Sequence, residues 1–519
     1  MTEATQSETP AQLGALDLGS NSFHLLVAQE VAGRIQVLDK YKEMVRLADG
    51  LDENNVIDEK TLDRALNCLE RLGQRLQSLR PEHVRIVGTN TLRKAANADS
   101  FIQQAEALLG HKIEIVSGRE EARLIFVGVC HDLGIAEKAR LVVDIGGGST
   151  ELIVGKETQA VELESLHMGC VSMSKKHFPD GQITDKAMQN AIRAALVELE
   201  PVVGEFSAQR WENAVGASGS INAIAEVVRQ SYGRSQFNRG DLQELVNRTL
   251  SAGHIDKLDF SGLAAERKPV FAGGLAILVA VFDALNISHM TPAQGALREG
   301  IIYDLLGRQQ SADARDDTVM QLQQRYRVDT TQANRVKATA LTLLDQVAPA
   351  WQIQSSDSKQ LLGWAADVHE IGMDVSHSGF HKHGAYLLEH MDMPGFSRTE
   401  QQQLAMLVAT HRRKLTKSPF VDATSELQKL ALVLRLAVLL HRNRSNVPGI
   451  PLFIQAHEQK VTLHIGEAWL RKNPLTVDDL NNEKSYLQAS PYSLKVETTT
   501  SLGDETVADE PLGAPANSS

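Results

Sequence analysis

Leu141 to Gly155 reads LVVDIGGGSTELIVG: an apolar run closed by Asp144, a turn of Gly146, Gly147, Gly148 and Ser149, then Glu151 and a second apolar run. Apolar run, small-residue turn, apolar run is the pattern of a β-hairpin. Consecutive glycines let the backbone turn back tightly, and amide groups with no Cβ beside them can crowd around an anion. Asp144 and Glu151 flank the turn, and oxygen ligands beside a phosphate suit a hard ion such as Mg²⁺. Taken alone, the stretch reads more simply as a glycine-rich hairpin with a capping Asp.

The same grammar recurs in Leu13 to Val27, LGALDLGSNSFHLLV, where Asp17 precedes Gly19, Ser20, Asn21 and Ser22. Two such turns far apart in one chain predict duplicated halves facing one phosphate group. A third small-residue turn, GASGS, precedes the helical spacing INAIAEVV and adds Gly219 and Ser220 as candidate phosphate contacts. Neither G-x-G-x-x-G nor G-x-x-x-x-G-K-[ST] occurs at these turns, so the dinucleotide fingerprint and the Walker loop lack support.

The chain has 519 residues, enough for about three to four domains, and its 42% hydrophobic and 23% charged content is that of a globular protein. A net charge of −12 repels polyanions. Basic residues must therefore be concentrated locally to hold one, and no nucleic-acid partner is expected. The opening MTEATQSETPAQ lacks the basic and apolar regions of a signal peptide. The longest apolar tract, Gly273 to Phe282, is too short to span a bilayer. The expectation is a cytoplasmic protein with no transmembrane segment, peripheral attachment to the inner face of the membrane being a variant of it. Cys68, Cys130 and Cys170 have no metal-ligand spacing and read as reduced thiols.

The expected organisation is α/β: a flexible N-terminus (1–12), a first lobe (13–133), a second lobe (134–310), a helical domain (311–447), a small C-terminal α+β domain (448–497) and a disordered acidic tail (498–519). Strand-like runs end at SGREEARLIF, where Ser117 and Gly118 start a helix with Glu120 and Glu121 in its first turn. First-turn glutamates often do no more than complement the helix dipole. Residues that end a strand and begin a helix also line ligand crevices in open α/β sheets. Adjacent helical residues point about 100° apart, so only one of the two can face such a crevice. The helical region carries His369-Glu370, the tract HSGFHKH (His377, His381, Lys382, His383), HRRK (His411, Arg412) and HRNR. These read as a metal site, as a surface for a long polyanion or as an ordinary basic face.

ALDLGSNSFHLLV, RLADGL, VGTNTLR, SGREEARLIF, VVDIGGGSTEL, GCVS, GASGS and GALREG, in that order, resemble the exopolyphosphatase and guanosine pentaphosphate phosphohydrolase family from Leu13 to about Glu497. The resemblance implies two lobes of the actin and sugar-kinase (ribonuclease H-like) fold, a helical domain related to HD phosphohydrolases and a small C-terminal domain. It implies a homodimer and Mg²⁺-dependent removal of a terminal phosphate, with a monovalent cation such as K⁺ as a further candidate. It places the catalytic base at Glu121, an arginine near the scissile phosphate at Arg93, Mg²⁺ carboxylates at Asp144 and Glu151, and phosphate loops at the glycine turns. The HD doublet reads His369-Glu370 here, so no second metal centre is expected. The His/Arg tracts, together with Arg267, are assigned to contact with a polyphosphate chain. Gly148 and the basic HSGFHKH tract resemble the polyphosphate branch, giving as first expectation a processive exopolyphosphatase and as alternative a guanosine pentaphosphate 5'-phosphohydrolase yielding guanosine tetraphosphate. An ATP-dependent kinase or chaperone and a non-catalytic nucleotide sensor are the rivals from other classes.

Overall fold

The computed structural model describes residues 11–31, 34–309, 313–415, 417–444 and 450–500. The expected flexible N-terminus and acidic tail lie almost wholly outside these residues. Two compact units result, the first comprising residues up to Arg315 together with Asp392–Thr399, the second the remainder from Asp316.

The first unit is built on two mixed sheets. One contains β1 (Gln12–Leu18), β2 (Phe23–Val31), β3 (Arg34–Glu43), β4 (Val84–Gly88) and β5 (Ile113–Ile115), in the order β3-β2-β1-β4-β5. The other contains β6 (Arg140–Ile145), β7 (Thr150–Lys156), β8 (Gln159–Leu166), β9 (Asn213–Ala217), β10 (Phe237–Asn238) and β11 (His289–Pro292), in the order β8-β7-β6-β9-β11-β10. In both, the first three strands form an antiparallel meander and the next two add in parallel. The duplication expected from the two turns is therefore a duplication of topology.

Every residue of β6 is buried, as befits a strand covered on both faces. Leu141 and Val143 face a core completed by helix Lys268–Leu285, apolar from Pro269 to Phe282, whereas Val142 points the other way, into a core shared with Leu13, Ala15 and Val87 of the first sheet. The apolar helical stretch Ala265–Leu285 is long enough to cross a membrane, but most of it is buried inside this core.

Helix Leu297–Gln309, expected as the end of the second lobe, packs with the first. Leu297, Ile301, Ile302 and Leu305 pack with the first sheet and with helix Gly118–Leu133, so the chain returns to its first half before leaving the unit. Gly300 allows the approach, since a Cβ there would sit 1.8 Å from the carbonyl oxygen of Leu124. Asp392–Thr399, expected within the helical domain, groups instead with the first unit.

The second unit contains helices Thr330–Trp351, Ser356–Val368, Phe380–His390 and Ser425–Leu440 with a sheet of β12 (Leu452–His457), β13 (Lys460–Gly466) and β14 (Ser493–Thr499). β12 and β13 are the two strands expected there. β14 pairs in parallel with β13 and continues to Thr499, into the segment expected to be tail. The sheet does not stand apart as a small domain. Trp351 Nε1 donates to the carbonyl of Glu458, and the buried Arg435 of helix Ser425–Leu440 pairs with Glu483 of helix Pro474–Tyr486.

Candidate active site

A cleft of about 290 Å³ opens in the first unit where the two hairpins meet. A Cβ on Gly147 would lie 3.1 Å from Cβ of Ser20 and 3.5 Å from the amide nitrogen of Asn21, which measures how closely the turns approach. Gly19, Ser20, Asn21, Ser22, Gly146, Gly147, Ser149, Gly219 and Ser220 all line the cleft. Gly148 packs against Asn90 instead, where a Cβ would fall 2.6 Å from the side-chain amide nitrogen. The second turn is closed by Gly146 N–H to the Ser149 carbonyl at 3.0 Å. Its carbonyls accept from the start of helix Cys170–His177, Cys170 to Gly146 and Val171 to Gly147, both at 2.9 Å. That bonding occupies carbonyls and fixes the loop without using its remaining amide donors.

Helix Gly118–Leu133 is capped by Ser117, whose hydroxyl accepts from Glu120 N–H at 3.1 Å. Its first turn sends the two glutamates to different places. Glu121 lines the cleft and receives Arg93 Nη1 at 3.3 Å, while Arg93 also donates to the Val116 carbonyl at 2.7 Å. Glu120 is fully buried beneath, bound by Arg123 at 2.8 Å, by Arg85 and by the Gly395 N–H at 2.7 Å. Asp304 joins the same network through Arg85, Arg123 and Arg308, and these arginines hold its carboxyl well below the usual range despite burial.

Asp144 lines the cleft, and Glu151, its partner across β6 and β7, lies behind with its carboxylate accepting from Ser165 Oγ at 2.8 Å. Sequence reasoning missed their counterparts. Asp17 and His24 face each other across β1 and β2 in the same register, and both line the cleft. The common spacing of seven residues, Asp17 to His24 and Asp144 to Glu151, was the available signal. Lys42 and Arg298 also line the cleft. Arg298 lies in the GALREG motif; nothing in the sequence around Lys42 marks it.

Burial, the charge of Glu121 and the charge of Asp144 push Asp17 up to about 8, with Arg298 pulling the other way. Burial and Glu121 push Asp144 up to about 7. Burial also raises Glu121, against the pull of Arg93, and raises Glu151, where Glu121 and Asp144 add to it. Burial, with Arg298, Lys42 and Arg267 nearby, lowers His24 to about 3, so the ring is neutral, its Nε2 2.6 Å from Ser22 Oγ. Buried Asp17 Oδ1 has no hydrogen-bond partner among the described residues.

Arg93 and Arg298 only partly offset the burial of these carboxylates and their mutual repulsion, and their all-oxygen chemistry fits a hard divalent cation. Among the described residues no three His, Cys, Asp or Glu side chains are gathered closely enough to hold a metal ion by themselves. The two facts agree for Mg²⁺, which commonly takes one or two carboxylates and completes its shell with water and phosphate.

The residues assigned to a polyphosphate channel divide. Arg267 belongs to the cleft, its guanidinium so close over Gly219 that any Cβ there would clash. His377, His411 and Arg412 line a separate cavity of the second unit, whereas Lys382 and His383 do not line it. Two members of the basic tracts require correction. His411 and His381 are buried, and burial with nearby positive charge lowers both, His381 to about 4, so neither is a surface cation at neutral pH.

Residues 26–309 match the Ppx/GppA phosphatase family, and residues 314–484 match domain III of that family. Similar curated proteins include the guanosine-5'-triphosphate,3'-diphosphate pyrophosphatases of Aeromonas hydrophila, 39% identical over 94% of this chain and 97% of the relative, and of Vibrio cholerae, 40% identical over 95% and 99%. The solved exopolyphosphatase of Cytophaga hutchinsonii shares the fold, with a TM-score of 0.51 and 24% identity, over 57% of this chain and 98% of its own. With its duplicated sheets, helical C-terminal unit and near full-length relatives, the chain belongs to the Ppx/GppA phosphatase family.

Proposed function

We propose that the cleft hydrolyses the terminal 5'-phosphoanhydride of guanosine pentaphosphate, releasing orthophosphate and leaving guanosine tetraphosphate. The observation that carries a phosphoanhydride hydrolase is the meeting of two Gly/Ser turns over buried, under-compensated carboxylates. The guanosine substrate is taken from relatives whose name states it, at 39–40% identity over nearly the whole chain.

Phosphoanhydride hydrolysis asks a protein for in-line water, charge neutralisation and positioning. Glu121 would orient the water and take its proton. Its raised pKa moves it toward the range where a carboxylate accepts a proton effectively at neutral pH. Arg93 would hold that carboxylate in place. The turn amides from Ser20 to Ser22 and from Gly146 to Ser149, with Gly219, Ser220, Arg267 and Arg298, would bind phosphate oxygens whose charge grows in the transition state. Asp144 and one neighbouring carboxylate, of Asp17 or Glu151, would hold Mg²⁺, which would neutralise phosphate charge. Homodimerisation and a K⁺ requirement accompany this reading as proposals of the same standing.

Polyphosphate, the first expectation from sequence, rested on Gly148 and the basic tract. The relatives favour the guanosine alternative, and burial of His381 removes one cation from that tract. The test is phosphate release by purified protein with Mg²⁺ from guanosine pentaphosphate, long-chain polyphosphate and ATP at matched phosphate. Dominant release from the guanosine nucleotide is expected. Dominant release from polyphosphate would overturn the substrate assignment, and release from none of them would overturn the hydrolase.

A further inference from the structure

Asp392–Thr399 groups with the first unit, although the chain on either side of it, up to Met391 and from Glu400, belongs to the second. A connecting segment ordinarily runs over the surface, where water satisfies its backbone. This one is built in: Met393, Phe396 and Ser397 are each 2% exposed, and Gly395 between them is buried.

The peptide unit of Gly395 is held on both sides. Its N–H donates to Glu120 Oε2 at 2.7 Å, and its carbonyl accepts from Arg308 Nη2 at 2.9 Å. Arg308 also pairs with Asp304 at 3.1 Å, Asp304 pairs with Arg123, and Arg123 closes the ring on Glu120 at 2.8 Å. At the start of the segment, Asp392 reaches Arg119 at 3.3 Å. Arg119 and Glu120 are the second and third residues of helix Gly118–Leu133, and Glu121 is the fourth.

The first turn of a helix leaves its leading N–H groups without intrahelical partners, so other parts of the fold must hold it. On the cleft side Arg93 meets the Glu121 carboxylate at 3.3 Å, and the Glu121 N–H donates to the Ser117 carbonyl at 2.9 Å. Glu120 anchors the same turn from behind. Successive Cα atoms lie about 3.8 Å apart, so a shift of Glu120 passes directly to Glu121.

We infer that Asp392–Thr399 is a strap that sets the position of the base, with Gly395 a positioning residue for Glu121 that acts through Glu120. The inference rests on the reading of Glu121 as the base. Gly395 has φ +86°, and a Cβ there would lie 2.9 Å from the Arg315 backbone nitrogen, so a side chain at this place must displace the strap. Misplacing a reacting group by about 1 Å can cost about 10²-fold in rate. The cleft thus depends on a part that falls, in sequence, within the region matching domain III.

Two substitutions break the contact from opposite sides. Gly395→Ala displaces the peptide, and Glu120→Asp keeps the charge but shortens the reach by one methylene. Phosphate release from guanosine pentaphosphate with Mg²⁺ is measured for each, in the native chain and in Glu121→Gln, together with hydrogen exchange of the peptide spanning residues 117–126. In the native chain each is expected to lower kcat about tenfold with KM unchanged and to speed exchange in that peptide. In Glu121→Gln neither is expected to lower the rate further, because residues that act through one group are not additive. Loss by the same factor in both backgrounds would mark a general loss of folding and overturn the strap, as would an unchanged kcat or unchanged exchange. Where Gly395→Ala does not fold, Glu120→Asp decides alone. A Glu121→Gln chain as fast as the native one would overturn the assignment of the base, and the role of the strap with it.

Discussion

Glu121 and Glu120 are neighbours in sequence with opposite fates, one at the cleft and one sealed in an ion network. Glu121→Gln keeps the shape and removes the base, so the turnover rate should fall about 10²-fold or more while nucleotide still binds in equilibrium dialysis. Asp17→Asn should lower the rate by a similar factor of about 10² and weaken dependence on Mg²⁺, because an amide is a weaker oxygen ligand for a hard cation than the carboxylate that cation binding would draw from Asp17. Activity of Asp17→Asn close to that of the native chain would place it outside the reaction. Asp144 and Glu151 were legible in sequence because a carboxylate beside a glycine turn is a local pattern. Asp17 was equally local, but its meaning depends on aligning the two hairpins in register. Lys42 reaches the cleft only through strand pairing, which no short window records.

The turns are elements whose geometry depends on what packs behind them. A Cβ on Gly169 would lie 2.4 Å from the Gly147 carbonyl and 2.5 Å from Gly148 N, all backbone, so no side chain can yield. Gly169→Ala should shift the turn and reduce phosphate release about 10²-fold or more, since oxyanion donors lose their aim. Release unchanged in Gly169→Ala would show that the turn amides do not bind the reacting phosphate. Behind helix Gly118–Leu133, Arg85→Met would leave buried Glu120 and Asp304 short of a cation and should destabilise the first unit by about 3 kcal/mol, read from urea unfolding. The strand, turn, strand units were legible because each is set by a run of about 15 residues with alternating demands on the backbone. The return of helix Leu297–Gln309 to the first sheet was not, because it depends on Gly300 meeting Leu124 across the fold. β14 was missed for a related reason: its sequence, SLKVETT, is half-polar, and its partner β13 lies across an intervening helical crossover.

At the scale of the whole molecule, the two units should answer acid differently. His369 and His411 are both buried in the second unit, and burial is the main cause holding each below the ordinary value of 6.5. Below that pH the unfolded chain takes up protons that the folded chain refuses. Stability from these two rings is therefore fully present above about pH 6.5 and declines as pH falls, by up to about 1.4 kcal/mol per pH unit for each. Urea unfolding followed by hydrogen exchange across pH 7 to 5 should show the second unit losing stability, with a shallower slope in His411→Asn; an unchanged slope would contradict the burial account. The central claim is that a carboxylate base in the first unit's cleft hydrolyses the terminal phosphate of guanosine pentaphosphate. Its most direct test is the initial rate of phosphate release from that nucleotide by the native chain and by Glu121→Gln, with binding measured in parallel. The account predicts ready release by the native chain and loss of release with retained binding in the variant. Equal release by both, or no release by the native chain, would contradict it.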